Sequence, residues 1–172
     1  MKKLWIVLSL MFLVVLLHGC YSAPSSPPPF TMEVKVDKDV YRISETIVIT
    51  VRASQSCFLT LYDISTEGEV TQIFPNRYAQ DNWIQGGTVY RIPDKQDIFD
   101  FEIFGPPGIE RVRAIGTIDN VNFFEGRTID KTEKFPRILQ KPDQFDSAVS
   151  QKLGTIQRDR WAEASVTFQV VP

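Results

Sequence analysis

The chain has 172 residues, of which 43% are hydrophobic and 23% charged, and this is the composition of an ordinary globular protein. Its formal net charge of -2 argues against a nucleic-acid-binding protein, which would carry a basic excess or a basic stripe. A single histidine and two cysteines leave little material for chemistry based on imidazole or thiol groups.

Residues 1–19 have the pattern of an export signal. Two lysines precede an apolar run over residues 4–17, which is shorter than the roughly 20 residues of a membrane-spanning helix. The run ends in Leu17-His18-Gly19-Cys20. This resembles the lipobox of bacterial lipoproteins, although that family usually has Ala or Ser in place of His18. The resemblance implies cleavage before Cys20, a diacylglyceryl group on its thiol and acylation, for example by palmitate, of the new amino terminus. The alternative is an ordinary signal peptide with a chance cysteine.

The residues after the lipobox indicate where the protein is held. Lipoproteins that enterobacteria keep in the inner membrane have Asp after the lipidated cysteine, and Tyr21 stands there instead, which implies the outer membrane. Residues 20–31 are rich in proline and serine and predict a semi-rigid tether with a reach of roughly 30 Å. We therefore expect a signal peptide at 1–19, a lipidated tether at 20–31 and one folded domain at 32–172, facing the periplasm or the cell surface.

The domain after the signal peptide has no histidine, because His18 lies within residues 1–19. Catalytic triads, Cys-His sites and His-ligated zinc are therefore excluded, and no glycine-rich phosphate loop, EF-hand or Ser-x-x-Lys motif is present. We expect no cofactor and no metal. Cys57 begins the run CFLTLYDI, which predicts a buried cysteine in a strand, with a reactive or intermolecular thiol as the alternative.

Four acids lie close together in the sequence and raise the question of an acid/base pair or a calcium site: Asp94, Asp97, Asp100 and Glu102. The first two fall in a predicted turn and the last two on the polar side of an alternating segment, so a solvated face is the better interpretation. No acid stands in an obviously apolar pocket, and we therefore expect a protein that is not an enzyme. A glycosidase with paired carboxylates is the enzymatic alternative.

Alternation of period two predicts about eight short strands, at 32–36, 47–51, 58–64, 69–74, 88–92, 98–104, 109–117 and 165–171. The apolar run at 58–64 predicts a central strand covered on both faces. The loop that ends in Gly68 predicts a hairpin with the next strand, and Pro107-Gly108 predicts a type II turn.

The segment 118–160 breaks this pattern. Phe145, Val149 and Leu153 recur every four residues and predict a short helix from Asp143 to Leu153, with Asp143 as N-cap and Gly154 just beyond its end. We expect the helix to cover an edge or an open end of the strands, after a long irregular loop at 119–142. The fold class predicted is mainly β: a single antiparallel β-sandwich of about eight strands with one short helix in a C-terminal insertion.

Several short motifs then follow one another in a fixed order: Leu59-Thr60-Leu61-Tyr62-Asp63-Ile64, Phe74-Pro75-Asn76, Tyr90-Arg91-Ile92-Pro93 and Gly105-Pro106-Pro107-Gly108. In this order they resemble the domain of unknown function 4384 family, over about residues 43–117, with 161–170 as the closing strand. The resemblance implies a β-sandwich of bacterial envelope or secreted proteins. It carries no catalytic residues that can be transferred.

The loop 75–87 contains the candidate partner-binding residues, Asn76, Arg77, Tyr78 and Trp83. Trp, Tyr and Arg dominate protein interface hot spots. In the alternative interpretation the two rings fold back onto the core and the asparagine only caps a turn. We expect a non-catalytic module, anchored to the membrane through lipid on Cys20, that binds or scaffolds another envelope protein. The second hypothesis is a carbohydrate or peptidoglycan binder that uses this loop.

Overall fold

A computed structural model describes residues 29–172, so that the predicted signal peptide, the predicted lipidation site Cys20 and most of the predicted tether lie outside the described residues. The described residues form thirteen strands: β1 (Met32–Val36), β2 (Val40–Arg42), β3 (Thr46–Ile47), β4 (Ile49–Ala53), β5 (Cys57–Ile64), β6 (Val70–Phe74), β7 (Trp83–Ile84), β8 (Val89–Ile92), β9 (Phe101–Glu102), β10 (Gly108–Thr117), β11 (Ile129–Asp130), β12 (Arg137–Ile138) and β13 (Trp161–Val171). One α-helix, α1 (Pro142–Gly154), and two 3₁₀ turns (Gly126–Thr128 and Arg158–Arg160) complete the described part.

The strands form two principal sheets and a short ribbon. The large sheet has the order β11-β12-β6-β5-β10-β13-β2, and β7 also pairs with β5. The small sheet has the order β1-β4-β8, and β3 pairs only with β9. All pairs are antiparallel except β13 with β2, which is parallel and therefore departs from the purely antiparallel sandwich that we predicted.

The large sheet is covered on both faces because its central strands carry apolar side chains at both parities. Leu59 and Leu61 of β5 belong to the core between the two sheets, whereas Tyr62 and Ile64 pack under α1. The prediction of a central strand covered on both faces is confirmed. A strand buried on both faces reads as a nearly continuous apolar run, as the CFLTLYDI segment does.

The helix packs on a face of the large sheet, so the expectation that it covers an edge or an open end was wrong. Its buried residues Phe145, Val149 and Leu153 are those that the spacing of four predicts. Arg113 of β10 fixes the helix, because its guanidinium bonds Asp146 at 2.7 Å and Glu163 of β13 at 2.5 Å. Ion pairing therefore joins the helix to two strands of the sheet.

The caps of α1 differ from the prediction. The N-cap is Lys141 rather than Asp143, because Pro142 occupies the first helical position, where its missing N–H costs nothing. Gly154 is the last helical residue, and Thr155 caps the helix in a right-handed conformation. The glycine is therefore not the left-handed residue that we predicted beyond the end.

Other segments also depart from the predicted pattern. The predicted strand 98–104 is reduced to β9, because β3 offers only two residues to pair with it. The segment 119–142 is not irregular throughout, since it supplies β11 and β12 to the edge of the large sheet. The hairpin of β5 and β6 is confirmed, with Gly68 at φ +80°.

The predicted type II turn is not formed, because Gly108 already belongs to β10. The positive φ of this corner, +100°, falls on Gly105 instead. Among the described residues no helix has the length and apolarity needed to cross a bilayer.

Candidate functional site

A cavity of about 350 Å³ opens between the large sheet and the ribbon of β3 and β9. Most of its wall is apolar and comes from both sheets, the ribbon and the preceding loops. The apolar lining consists of Ile47, Ile49, Ile73, Phe101, Ile103, Phe104, Val112, Phe135 and Phe168. This volume lies within the range of small-molecule sites in proteins. We call it the acidic cavity, because of the carboxyl groups described next.

Asp63 enters the cavity because of strand parity. It lies two residues after Leu61 on β5, so its side chain projects from the same, inward face of the large sheet. Its neighbours across the sheet are Val112 of β10 and Thr71 of β6. An acid therefore occupies a position where the pattern of the strand calls for an apolar side chain.

Glu110 reaches the same cavity from β10. It lies two residues before Val112, shares the inward parity, and is opposite Phe168 of β13. Since Val112 pairs with Asp63, the two acids are diagonal neighbours, a relation in which Cα atoms stand roughly 7–8 Å apart. Only 3% of Glu110 is exposed to solvent.

Burial disfavours the charged form of both carboxyl groups. It raises the pKa of Asp63 to about 8, and the nearby Glu110 raises it further in the same direction. Burial likewise raises the pKa of Glu110 to about 7. A hydrogen bond from the backbone N–H of Thr66 lowers this pKa, but burial has the larger effect. No salt bridge of residues 29–172 involves either acid.

The cavity carries no positive charge of its own. Glu69, Asp100 and Glu102 add three more carboxyl groups to its lining, and no lysine or arginine lines it. The expectation that no acid lies in an apolar pocket was therefore wrong. The signal was present in the sequence, because Asp63 and Glu110 both have the parity of the buried residues of their strands.

Burial shifts the pKa of both acids of the pair in the same direction. A carboxylate acid/base pair needs environments that push the two pKa values apart, so that one group is protonated while the other is ionised. Here the same cause, burial, raises the pKa of Asp63 and of Glu110 alike. The arrangement is suited to a positive ligand, whose charge would stabilise both carboxylates.

An aromatic cluster joins the acidic cavity to the loop 75–87. Phe101 and Phe135 line the cavity, and both contact Phe99. Tyr78 stacks on Phe99 with ring centroids 5.9 Å apart and remains partly exposed. Of the candidate residues in the loop, Tyr78 is the one that the structure connects to the cavity.

The polar candidates of the loop make internal bonds. The side chain of Asn76 is buried, donates to the carbonyl oxygen of Ile73 at 2.8 Å and accepts from the backbone N–H groups of Tyr78 and Ala79. It therefore caps the turn. Arg77 donates to the carbonyl oxygen of Thr132 at 2.8 Å and ties the loop to the segment before β12.

Trp83 lies apart from Tyr78. It belongs to β7, is half exposed, and meets Phe58 edge to face with centroids 4.8 Å apart. Each ring has its own aromatic partner, and no ring contact joins Tyr78 to Trp83 in the part of the chain that the structure describes. The structure therefore offers two separate aromatic positions and no shared platform.

The remaining sequence candidates have structural explanations. The four acids at 94–102 are all exposed, as predicted for a solvated face, and Asp94 and Asp97 hold their own turn through side-chain bonds. Cys57 is a free, fully buried cysteine, and burial raises the pKa of its thiol, which leaves it unreactive. Within residues 29–172 no group of three or more acidic, cysteine or histidine side chains is placed to hold a metal ion.

Comparison with known proteins gives a match to a family model over part of the chain. Neither a curated protein nor a solved structure matches the chain. A family model described as a domain of unknown function (DUF4384) matches residues 40–119, from the first residue of β2 to just beyond the end of β10, including both acids of the cavity. Over these residues the match confirms the resemblance to DUF4384 that the order of the motifs predicted.

Proposed function

We propose that this protein is a lipid-anchored, non-catalytic module of the outer membrane that binds another protein of the cell envelope. The observation that carries the proposal is the exposed apolar surface of the segment 98–104. Ile98 is 81% exposed and Phe104 63% exposed, at the two ends of a segment whose Phe99 and Phe101 are buried. Tyr78 adds a partly exposed ring beside Phe99. Exposed aromatic and aliphatic side chains on a buried aromatic base are typical of binding hot spots.

The charges around this surface indicate the chemistry of the partner. Asp97, Asp100 and Glu102 are exposed on the same segment as Ile98 and Phe104. A complementary protein surface would place lysine or arginine side chains around an apolar centre. We therefore propose a partner with a basic rim.

The anchoring part of the proposal depends on the amino-terminal sequence. The lipobox-like residues 17–20 and the tether after them support lipid attachment at Cys20. Two or more acyl chains give stable membrane attachment where a single chain is marginal. The tether would then hold the sandwich at a distance from the bilayer at which it can meet a neighbouring protein.

The binding surface is tested by photo-crosslinking in the native envelope. A photoreactive phenylalanine analogue replaces Phe104 in one strain and Ile109 in a second strain. Ile109 is a matched control because it is 62% exposed but has the opposite parity on β10 and faces away from the cavity. We expect one protein to be crosslinked from position 104 and not from position 109.

The crosslinked protein is then purified and its affinity measured. We expect Phe104→Ser to weaken binding at least tenfold and Ile109→Ser to leave it unchanged. Equal crosslinking from both positions, or equal affinity of both variants, would contradict the proposed surface. Co-sedimentation with peptidoglycan and no protein partner would favour the carbohydrate-binding hypothesis instead.

Lipid attachment is tested separately with Cys20→Ala. We expect this variant to lose metabolic labelling by a palmitate analogue, because the thiol that accepts the lipid is absent. The unchanged chain should sediment with the outer membrane. Labelling that persists in Cys20→Ala would contradict the anchor without affecting the proposed binding surface.

A further inference from the structure

We propose that the acidic cavity is a binding site for a primary alkylammonium group, with the ammonium at Asp63 and Glu110 and the alkyl chain against the apolar wall. This site shares Phe104 with the exposed surface described above, but it does not depend on the partner proposed there. The proposed partner on the exposed surface does not account for the interior of the cavity, and the alkylammonium group is the ligand proposed for that interior.

The first argument is the charge of the cavity. Five acidic residues line it and no lysine or arginine does; among the described residues only Glu69 of the five has a salt-bridge partner, Arg137 at 3.5 Å. Besides Asp63 and Glu110, the acidic residues of the lining are Glu69 from the loop before β6, and Asp100 and Glu102 from the segment around β9, and these three are exposed to solvent. A ligand with one positive charge would therefore meet Asp63 of β5 and Glu110 of β10 inside the cavity, in the absence of any lysine or arginine in its lining.

The second argument is the unpaired state of a deeply buried acid. Glu110 is 97% buried by area, takes part in no salt bridge of the described residues, and has the backbone N–H of Thr66 as its polar neighbour. A buried carboxyl group without a cationic partner costs free energy, and such groups in proteins are ordinarily paired. A bound ammonium would supply the missing partner to Glu110 and to Asp63.

The third argument is the apolar wall. Phe101, Phe135 and Phe168 line the cavity with isoleucine and valine side chains. Such a wall accepts an alkyl chain, since burial of each methylene stabilises the bound state by roughly 0.8 kcal/mol. Aromatic faces also attract a cation that has lost part of its water. A fully hydrated or highly polar cation would gain nothing from these walls.

The geometry does not favour a metal ion. Calcium takes six to eight oxygen ligands, and magnesium six in a regular octahedron. The five acids are spread around the cavity, and no three acidic side chains in residues 29–172 converge on one point. An ammonium needs only two or three acceptors and therefore fits the pair of Asp63 and Glu110 better.

Binding of an ammonium should release protons from the protein. At pH 7 Asp63 is mostly protonated and Glu110 is about half protonated, because burial raises the pKa of Asp63 to about 8 and that of Glu110 to about 7. The arriving cation stabilises the carboxylate forms, so protons leave to solvent while the ligand keeps its own charge. The affinity should therefore rise between about pH 6 and pH 8.5.

Isothermal titration calorimetry tests the site with the full chain in detergent micelles and n-hexylammonium as the probe. We expect saturable binding with one site per chain, and proton release measured as a difference in heat between buffers of different ionisation enthalpy. The neutral isostere n-hexanol should bind at least tenfold more weakly. Nα-acetyl-lysine-N-methylamide, titrated in parallel, shows whether a lysine side chain of a protein or only a free amine enters the cavity.

The variants Asp63→Asn and Glu110→Gln keep the shape of each side chain and remove its charge. Each should weaken n-hexylammonium binding at least tenfold, whereas Glu33→Gln, on an exposed position of β1, should leave it unchanged. Circular dichroism of each variant shows that it is folded. Three results would overturn the proposal. They are equal binding of hexanol and hexylammonium, undiminished hexylammonium binding by both variants, and no binding of either amine to the folded wild type.

Discussion

The two buried acids make a specific prediction about stability and pH. A carboxyl group whose pKa is higher in the folded state than in the unfolded state binds protons more tightly when folded. The free energy of unfolding therefore falls as pH rises from the unfolded pKa to the folded pKa, and is constant above it. For Asp63 this window runs from about 4 to about 8, and for Glu110 from about 4.5 to about 7.

The size of the effect follows from the shift at Asp63. Each pKa unit corresponds to about 1.36 kcal/mol, so the change from 3.8 to about 8 sets an upper bound on the order of 6 kcal/mol. Asp63 keeps partial access to water through the cavity mouth, which hydrates the carboxylate. We therefore expect Asp63→Asn to be more stable than the wild type by about 2–3 kcal/mol at pH 8.5 and nearly equal to it at pH 4.

The assay is urea unfolding of the full chain in detergent, followed by tryptophan fluorescence at several pH values from 4 to 9. The difference between variant and wild type isolates Asp63, because the other titrating groups are common to both proteins. Glu110→Gln should show the same rise, completed by about pH 7.5. A stability difference that stays constant from pH 4 to pH 9 would refute the reasoning, since it would mean that neither acid has a raised pKa.

Two further predictions concern packing and the helix contact. Gly116→Val should lower the free energy of unfolding by about 1–3 kcal/mol in urea titrations, because a Cβ there collides with the Met32 side chain and lies 2.9 Å from the Cys57 sulfur. Gly154→Ala is its control, since no atom lies within 4 Å of the added carbon, and equal losses in both variants would contradict this reasoning. Arg113→Ala should cost about 2–4 kcal/mol, because it empties the space between helix and sheet and removes the cation from its ion pairs. Arg113→Met should lower the free energy of unfolding by less than half as much as Arg113→Ala. The methionine fills the space between helix and sheet, and the two acids stay partly solvated. An equal loss in both variants would show that charge rather than packing holds the helix.

The acidic cavity and the exposed segment 98–104 share structural elements. Phe101 lines the cavity, and Phe104 both lines it and reaches solvent at its mouth. A ligand inside the cavity and a partner on its rim would therefore contact opposite sides of the same short segment. The order of binding can be measured by repeating the affinity measurement for the partner with n-hexylammonium present.

Local patterns were sufficient for most of the β framework. Seven of the eight predicted strands correspond to strands of three or more residues, because a half-buried strand shows its period in the sequence. The helix was also predicted, since its three buried residues recur every four positions. Two segments were predicted incorrectly. The strand β2 was missed because it has only three residues. The segment 98–104 forms only the two-residue strand β9, because β3 pairs with it over two residues.

The candidate site was accessible to sequence reasoning only in part. The alternation of β5 places Asp63 on the inward face of that strand, and the alternation of β10 does the same for Glu110. Alternation within each strand cannot show that both inward faces border the same cavity. That relation depends on the antiparallel register of β5 and β10, which pairs Asp63 with Val112. The loop 75–87 was singled out by composition, and composition does not show that Tyr78 and Trp83 have different partners.

Period, motif order and residue types were sufficient to predict the class of fold, the resemblance to DUF4384 over residues 40–119 and the lack of histidine after residue 18. The packing of the helix on a face of the large sheet, and the shared apolar cavity of Asp63 and Glu110, became visible only in the folded chain. The physical reason is that burial and proximity belong to pairs of segments distant in sequence, joined by strand register. The pKa of each acid depends on those distant neighbours, and no local pattern encodes it.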